Sequence, residues 1–102
     1  MTYGDDEAWA TLADRNRRSI LAELAEGERT VGELTRVLPI TQPAVSQHLK
    51  VLKHVGLVSD RAEGTKRIYR LNEAGVAALR DQLDRFWART MSGFGDLMKE
   101  EE

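Results

Sequence analysis

Thr41-Gln42-Pro43-Ala44-Val45-Ser46-Gln47-His48-Leu49-Lys50-Val51-Leu52-Lys53-His54-Val55-Gly56-Leu57-Val58 decides the fold of this chain. Thr41 offers a hydroxyl N-cap, Pro43 is tolerated in a first helical turn, and Gly56 suits the position just past a helix end. The stretch therefore predicts a helix over 42–55. Val45, Leu49 and Leu52 recur at helical spacing and predict its core-facing side. Gln42, Ser46, Gln47, Lys50 and Lys53 then fall mostly on its other faces. A helix that opens with polar side chains and carries cations along it fits the major groove of DNA, and a basic segment close behind it fits the flanking phosphates.

Working outward, residues 57–61 and 65–71 are strand-like and flank Ala62-Glu63-Gly64, a hairpin turn signal. Upstream, Pro39 breaks the chain after a helix through Val37, and Thr30 with Glu33 forms a Thr-x-x-Glu capping box that opens that helix. Asp14 is placed to cap a helix bearing Ile20, Leu21 and Leu24 that stops at Gly27. Residues 7–13, with Trp9 and Leu12, read as a short first helix. Asn72 is placed to cap the last helix, whose stripe of Val76, Leu79, Leu83, Phe86, Trp87 and Met91 weakens at Ser92-Gly93. The order is four helices, a hairpin and a final helix. The fold class is mostly α with a small β-hairpin (α+β), a winged helix-turn-helix. One domain is expected over 1–102, with the helix-turn-helix at about 30–55, the wing at about 57–71 and outer helices at about 7–13 and 73–92.

With 102 residues, 41% hydrophobic and 31% charged, the chain suits one small soluble core. No apolar run approaches the ~20 residues of a membrane span, and the acidic start Met1-Thr2-Tyr3-Gly4-Asp5-Asp6-Glu7 is no secretory signal. A cytoplasmic location is expected. Cysteine is absent, which excludes disulfides and thiolate metal sites. The net charge of −2 conceals an asymmetry. Residues 41–71 carry Lys50, Lys53, Arg61, Lys66, Arg67 and Arg70 against Asp60 and Glu63, a local +4 on an acidic remainder. Screening confines each charge to roughly 8–10 Å, so a basic face on an acidic body still grips phosphate.

Several stretches resemble ArsR/SmtB-type repressors. Residues 12–21, Leu-Ala-Asp-Arg-Asn-Arg-Arg-Ser-Ile-Leu, are similar to the family's second helix, and Gln42 through Leu52 are similar to its recognition helix. Gly56-Leu57-Val58 with residues 64–71, Gly-Thr-Lys-Arg-Ile-Tyr-Arg-Leu, resembles its wing. The likeness covers about residues 8–87 in the right order. It implies a homodimer paired through the first and last helices, binding double-stranded DNA at an inverted-repeat operator as a repressor. The family often senses metals through third-helix cysteines or His/Asp pairs in the last helix. This chain has Thr30-Val31-Gly32 at the first place and no histidine at the second, so neither metal nor cofactor is expected.

Glutamine bonds adenine bidentately, serine reaches a base or a phosphate, and lysine supplies a point charge. The candidate DNA-binding residues are Thr41, Gln42, Pro43, Ser46, Gln47, His48, Lys50, Lys53, Lys66 and Arg67. His48 is open to two roles, phosphate contact or packing at the helix edge. His54 reads as structural, favoured near a helix C-terminus. Arg61 is a weaker wing candidate, and Arg70 suits a structural pair. Arg15, Arg17 and Arg18 form a second basic cluster that the resemblance assigns to the fold or to interdomain salt bridges. Trp9, Leu12, Leu79, Leu83, Phe86 and Trp87 are the candidate dimer seam, because a last helix of about twenty residues, ~30 Å, should overhang so small a core.

No catalytic arrangement assembles: there is no Ser/His/Asp order with supporting loops, phosphate-cradling loop or metal-ligand cluster. The chain is not expected to be an enzyme. Two other readings compete with the DNA-binding repressor. One is a winged-helix module that binds protein, suggested by the acidic overall charge and the apolar last helix. The other is a repressor sensing metal through carboxylates such as Asp81 and Asp84, although oxygen-only sites suit Mg²⁺ or Ca²⁺ better than transition metals.

Overall fold

The computed structural model describes residues 8–101, with side chains through residue 95. Helical residues 8–11 (α1) lead through a turn at 12–14 into α2 (Arg15–Glu26). β1 (Arg29–Thr30), α3 (Val31–Val37), α4 (Gln42–His54), β2 (Val58–Glu63), β3 (Lys66–Leu71) and α5 (Glu73–Glu101) follow. Among the described residues, no helix is long and apolar enough to cross a membrane.

The caps form where the local chemistry requires. The Asp14 carboxylate accepts from the backbone N–H of Asn16 at 2.8 Å and of Arg17 at 3.1 Å. Those bonds, led by the one from Arg17, hold the carboxyl below the usual aspartate range. Thr30 and Glu33 make the reciprocal capping box, at 2.8 and 3.1 Å. Thr41 caps α4 through Ala44 N–H. At the far end of α4, Gly56 takes φ 84. Its N–H donates to Lys53 O, and Leu57 N–H donates to Leu52 O. This pair of bonds is a Schellman motif, sealed by contact between buried side chains.

Ile20 and Leu24 of α2, Leu34 of α3, Val45, Leu49 and Leu52 of α4, and Leu57 and Val58 at the start of the wing build one core. Each large side chain among them contributes about 1.5–3 kcal/mol by leaving water. α4 is thus fixed along one whole side, which leaves its opposite side a defined outward surface.

Five boundaries differ from expectation. A third strand exists. β1 pairs with β3 (Arg29↔Tyr69, Thr30↔Ile68), so the sheet runs β1-β3-β2 and a strand precedes α3. Two residues are too short to alternate, and Thr30 serves as strand end and helix cap together. The hairpin turn is Gly64-Thr65, not Ala62-Glu63-Gly64, with Glu63 paired to Lys66. Gly64 at φ 63 supplies the positive φ at the first central position of a two-residue turn. The first helix ends at residue 11, not 13, because Asp14 must be extended (φ −84, ψ 124) to cap α2; residue 7 lies outside the described residues. α4 ends at His54 with Val55 as its C-cap. The last helix continues past Ser92-Gly93 to Glu101, since a glycine disfavours a helix by only about 1 kcal/mol.

Asn72 does stand at the head of α5, where its carbonyl accepts from Val76 N–H. Its side-chain amide donates to Gly56 O at 2.9 Å, and its own N–H donates to Leu57 O. The start of α5 is therefore bolted to the end of α4. Gly75 makes this possible: a Cβ there would stand 1.8 Å from Gly56 O. Beyond this joint α5, ~44 Å long, runs away from the core. The molecule measures 64 × 25 × 23 Å.

Candidate nucleic-acid interface

The outward surface of α4 carries Gln42, Pro43, Ser46, Gln47, Lys50 and Lys53, all exposed, with Thr41 exposed at its head. The side chains of Gln42, Ser46, Gln47 and Lys50 have no hydrogen-bond or ion-pair partner among the described residues. They are free to meet base edges and phosphate. Lys66 and Arg67 are exposed beside the hairpin tip. α4 has no acidic residue in its first turn, so its positive dipole end is uncancelled there.

His48 is half-buried, and its Nδ1 accepts from Arg17 Nε at 3.1 Å. A guanidinium N–H only donates, so the ring nitrogen of His48 is the acceptor in this contact. His48 thus packs at the helix edge and ties α4 to α2. Of the neighbouring basic cluster, Arg17 makes this tie and Arg18 donates to Leu12 O at 2.6 Å. Both serve the fold.

Asp60 is not legible in the sequence as a site residue. It counted only as a negative charge in the basic segment. In the fold, its Oδ1 meets Lys53 Nζ at 2.8 Å and its Oδ2 meets an Arg67 N–H at 3.0 Å. The Asp60 side chain is only 7% exposed, whereas those of Lys53 and Arg67 are 54% and 53% exposed. Lys53, opposed by burial and then aided by Arg67, holds the carboxyl below the usual aspartate range. Two candidate DNA contacts from different elements are joined through one carboxylate. The available signal was strand alternation: Asp60 lies two residues past buried Val58, and Arg67 is diagonal to it across the hairpin register.

Arg61 turns away from this group. It grips Glu28 with two bonds at 2.7 and 3.0 Å and Glu63 with one at 3.2 Å. The contact with Arg61 holds the Glu28 carboxyl below its usual range. This clamp fastens β2 to the loop before β1. Arg70 donates to Ser59 Oγ at 3.3 Å.

Elsewhere, Leu12 in the turn after α1 and Leu79 of α5 pack against the chain's own core, and Leu83 is half-buried. Trp9, Phe86 and Trp87 are exposed, joined by Val76, Met91 and Phe94. Trp9 and Phe86 lie 6.3 Å apart between ring centroids, and Phe86 and Trp87 5.4 Å apart, edge to face. Asp81 pairs with Arg85 at 3.2 Å. Among the described residues, no three His, Cys, Asp or Glu side chains group as metal ligands.

Known proteins resemble the chain over most of its length. A family model for bacterial regulatory proteins of the arsR family matches residues 14–60. The chain is 55% identical over 96 residues to the HTH-type transcriptional regulator Rv2034 of Mycobacterium tuberculosis, which covers 94% of this chain and 90% of that one. It is 44% identical over 73 residues to the biofilm growth-associated repressor of Agrobacterium fabrum, covering 72% of this chain and 62% of that one. The solution structure of a homodimeric winged helix-turn-helix DNA-binding domain from Mycobacterium bovis superposes with TM-score 0.69 at 32% identity, covering 83% of this chain and 79% of that one. These relatives are regulators of transcription, not enzymes. The chain belongs to the arsR family of bacterial transcriptional regulators.

Proposed function

We propose that this protein is a homodimeric, cytoplasmic repressor that binds an inverted-repeat operator. α4 enters the major groove and the wing tip lies on adjacent phosphates. One observation carries the reading: α4 buries Val45, Leu49 and Leu52 completely, while Gln42, Ser46, Gln47 and Lys50 point outward without intramolecular partners among the described residues. A helix so fixed on one side and so free on the other suits a rigid, polar groove. The named properties of the Mycobacterium bovis and Agrobacterium fabrum proteins support the dimer and the repression. Exposed Trp9, Phe86 and Trp87 supply an apolar seam for a second copy. The dimer would set two α4 helices roughly 34 Å apart, one turn of duplex.

The test is a gel shift on DNA upstream of the protein's own gene. A retarded band of two chains per duplex is expected, with affinity falling steeply as salt rises. No salt-dependent shift at low ionic strength would overturn the reading. Zinc is expected to leave the shift unchanged; a loss reversed by EDTA would contradict that expectation.

A further inference from the structure

We propose that Asp60 is a positioning residue for DNA binding: its carboxylate holds Lys53, from the end of α4, and Arg67, from the wing, as one rigid pair of phosphate contacts. This rests on the DNA-binding reading above and adds what links the helix to the wing.

Each oxygen of Asp60 takes one cation, at 2.8 and 3.0 Å, so Lys53 and Arg67 cannot drift apart while both bonds last. The Asp60 side chain is little exposed, whereas both cations remain half exposed. Their donors are not exhausted. The ammonium has three N–H groups and the guanidinium five, and Asp60 meets one terminal nitrogen of each side chain. Further donors remain for phosphate oxygens with the Asp60 contacts intact. Stability alone does not explain the choice of residue, since an enclosed carboxylate with two cations is often no better than apolar packing. What the arrangement provides is fixed geometry. Entropy otherwise lost by two long, mobile side chains on binding is lost on folding instead.

The experiment uses the full chain carrying D60N, K53A, R67A, or D60N with R67A. Two probes are used: a duplex enriched by the wild-type chain from a randomised pool, and a scrambled duplex of equal length. D60N is expected to lower the ratio of selected to scrambled affinity about tenfold, because phosphate contacts held at a fixed spacing set the register in which α4 meets the bases of the selected duplex; scrambled affinity, with no register to keep and one negative charge fewer, is unchanged or higher. R67A is expected to lower the ratio less in the D60N background than in the wild type, since residues acting through one another are not additive. An unchanged ratio in D60N overturns the proposal. So do strictly additive effects, or equal losses on both duplexes accompanied by a lower melting temperature. K53A and R67A sit at exposed positions and carry the test should D60N not fold; an unchanged ratio in both overturns it. A wild-type chain that enriches no sequence sinks the DNA reading itself, and Asp60's role with it. A wild type that enriches one while D60N keeps the ratio sinks the positioning role alone.

Discussion

α4 and α5 are both amphipathic, yet they use their apolar sides in opposite ways. α4 buries Val45, Leu49 and Leu52 completely and shows polar side chains to the outside. α5 packs Leu79 on the core but leaves Val76, Phe86, Trp87, Met91 and Phe94 exposed along a helix that outruns the domain. A large apolar side chain kept in water forgoes about 1.5–3 kcal/mol of burial, so such a stripe favours a partner that covers it. The two helices therefore suit different partners. The outward side of α4 complements a charged, hydrogen-bonding groove, and α5 complements another apolar surface, which on the proposed function is its copy.

Two substitutions of buried and exposed apolar residues break this contrast most directly. Leu49→Ala empties a position at 0% exposure and is expected to destabilise the chain by about 2–5 kcal/mol in urea denaturation. Trp87→Asp changes a position at 52% exposure. It is expected to leave helix content by circular dichroism unchanged while sedimentation shifts from dimer to monomer, because a dimer seam would have to bury an unpaired charge. If Trp87→Asp remains dimeric, the seam lies elsewhere and the comparison loses one side. Gly75→Ala tests the joint between the two helices. Its Cβ would collide with the Gly56 carbonyl, a backbone atom that cannot swing aside. A loss of about 1–3 kcal/mol is expected; a wild-type melt would mean that α5 shifts freely on α4.

Gly75 also shows what a sequence conceals. Asp14, Thr30, Glu33, Thr41 and Gly56 are legible as caps because each acts on backbone groups close in the chain. The stripe of Val45, Leu49 and Leu52 is legible because helical periodicity places it. Gly75 reads only as a weak helix residue, since the carbonyl it approaches belongs to Gly56 in another element. Asp60 is illegible for the same reason. Its partners lie seven positions to either side and meet it only after the hairpin closes on α4. β1 is too short to carry alternation, and its pairing depends on β3. The candidate surface of α4 was thus readable residue by residue, whereas the bonds that arrange Lys53, Arg67 and His48 were not.

Acid should act on the α4 side of the comparison through Asp60. Its carboxyl is held below the usual range in the fold, chiefly by Lys53, and titrates normally when unfolded. The stabilisation is therefore complete above the unfolded value, about pH 4, and is lost as pH falls toward the depressed folded value. Melting temperature measured from pH 7 to pH 3 is expected to drop at the acid end, and less steeply in D60N than in the wild type. Parallel acid limbs in the two proteins would show that the Lys53–Asp60–Arg67 group adds nothing to stability.

The smallest expected effect gives the sharpest separation between the helices. Lys50 is exposed on α4 and has no side-chain partner among the described residues, so Lys50→Ala should leave the melt unchanged. If Lys50 meets one phosphate, its loss lowers affinity on selected and scrambled duplexes alike and reduces the salt slope by about 1. Arg89 is a matched control, an exposed cation on the overhanging part of α5. Arg89→Ala removes the same unit of charge from the whole molecule but from the wrong helix. Because screening limits each charge to its own neighbourhood, the slope should not change. A slope reduced equally by both substitutions would mean that affinity follows total charge, and α4 would lose its claim to be the surface that meets DNA.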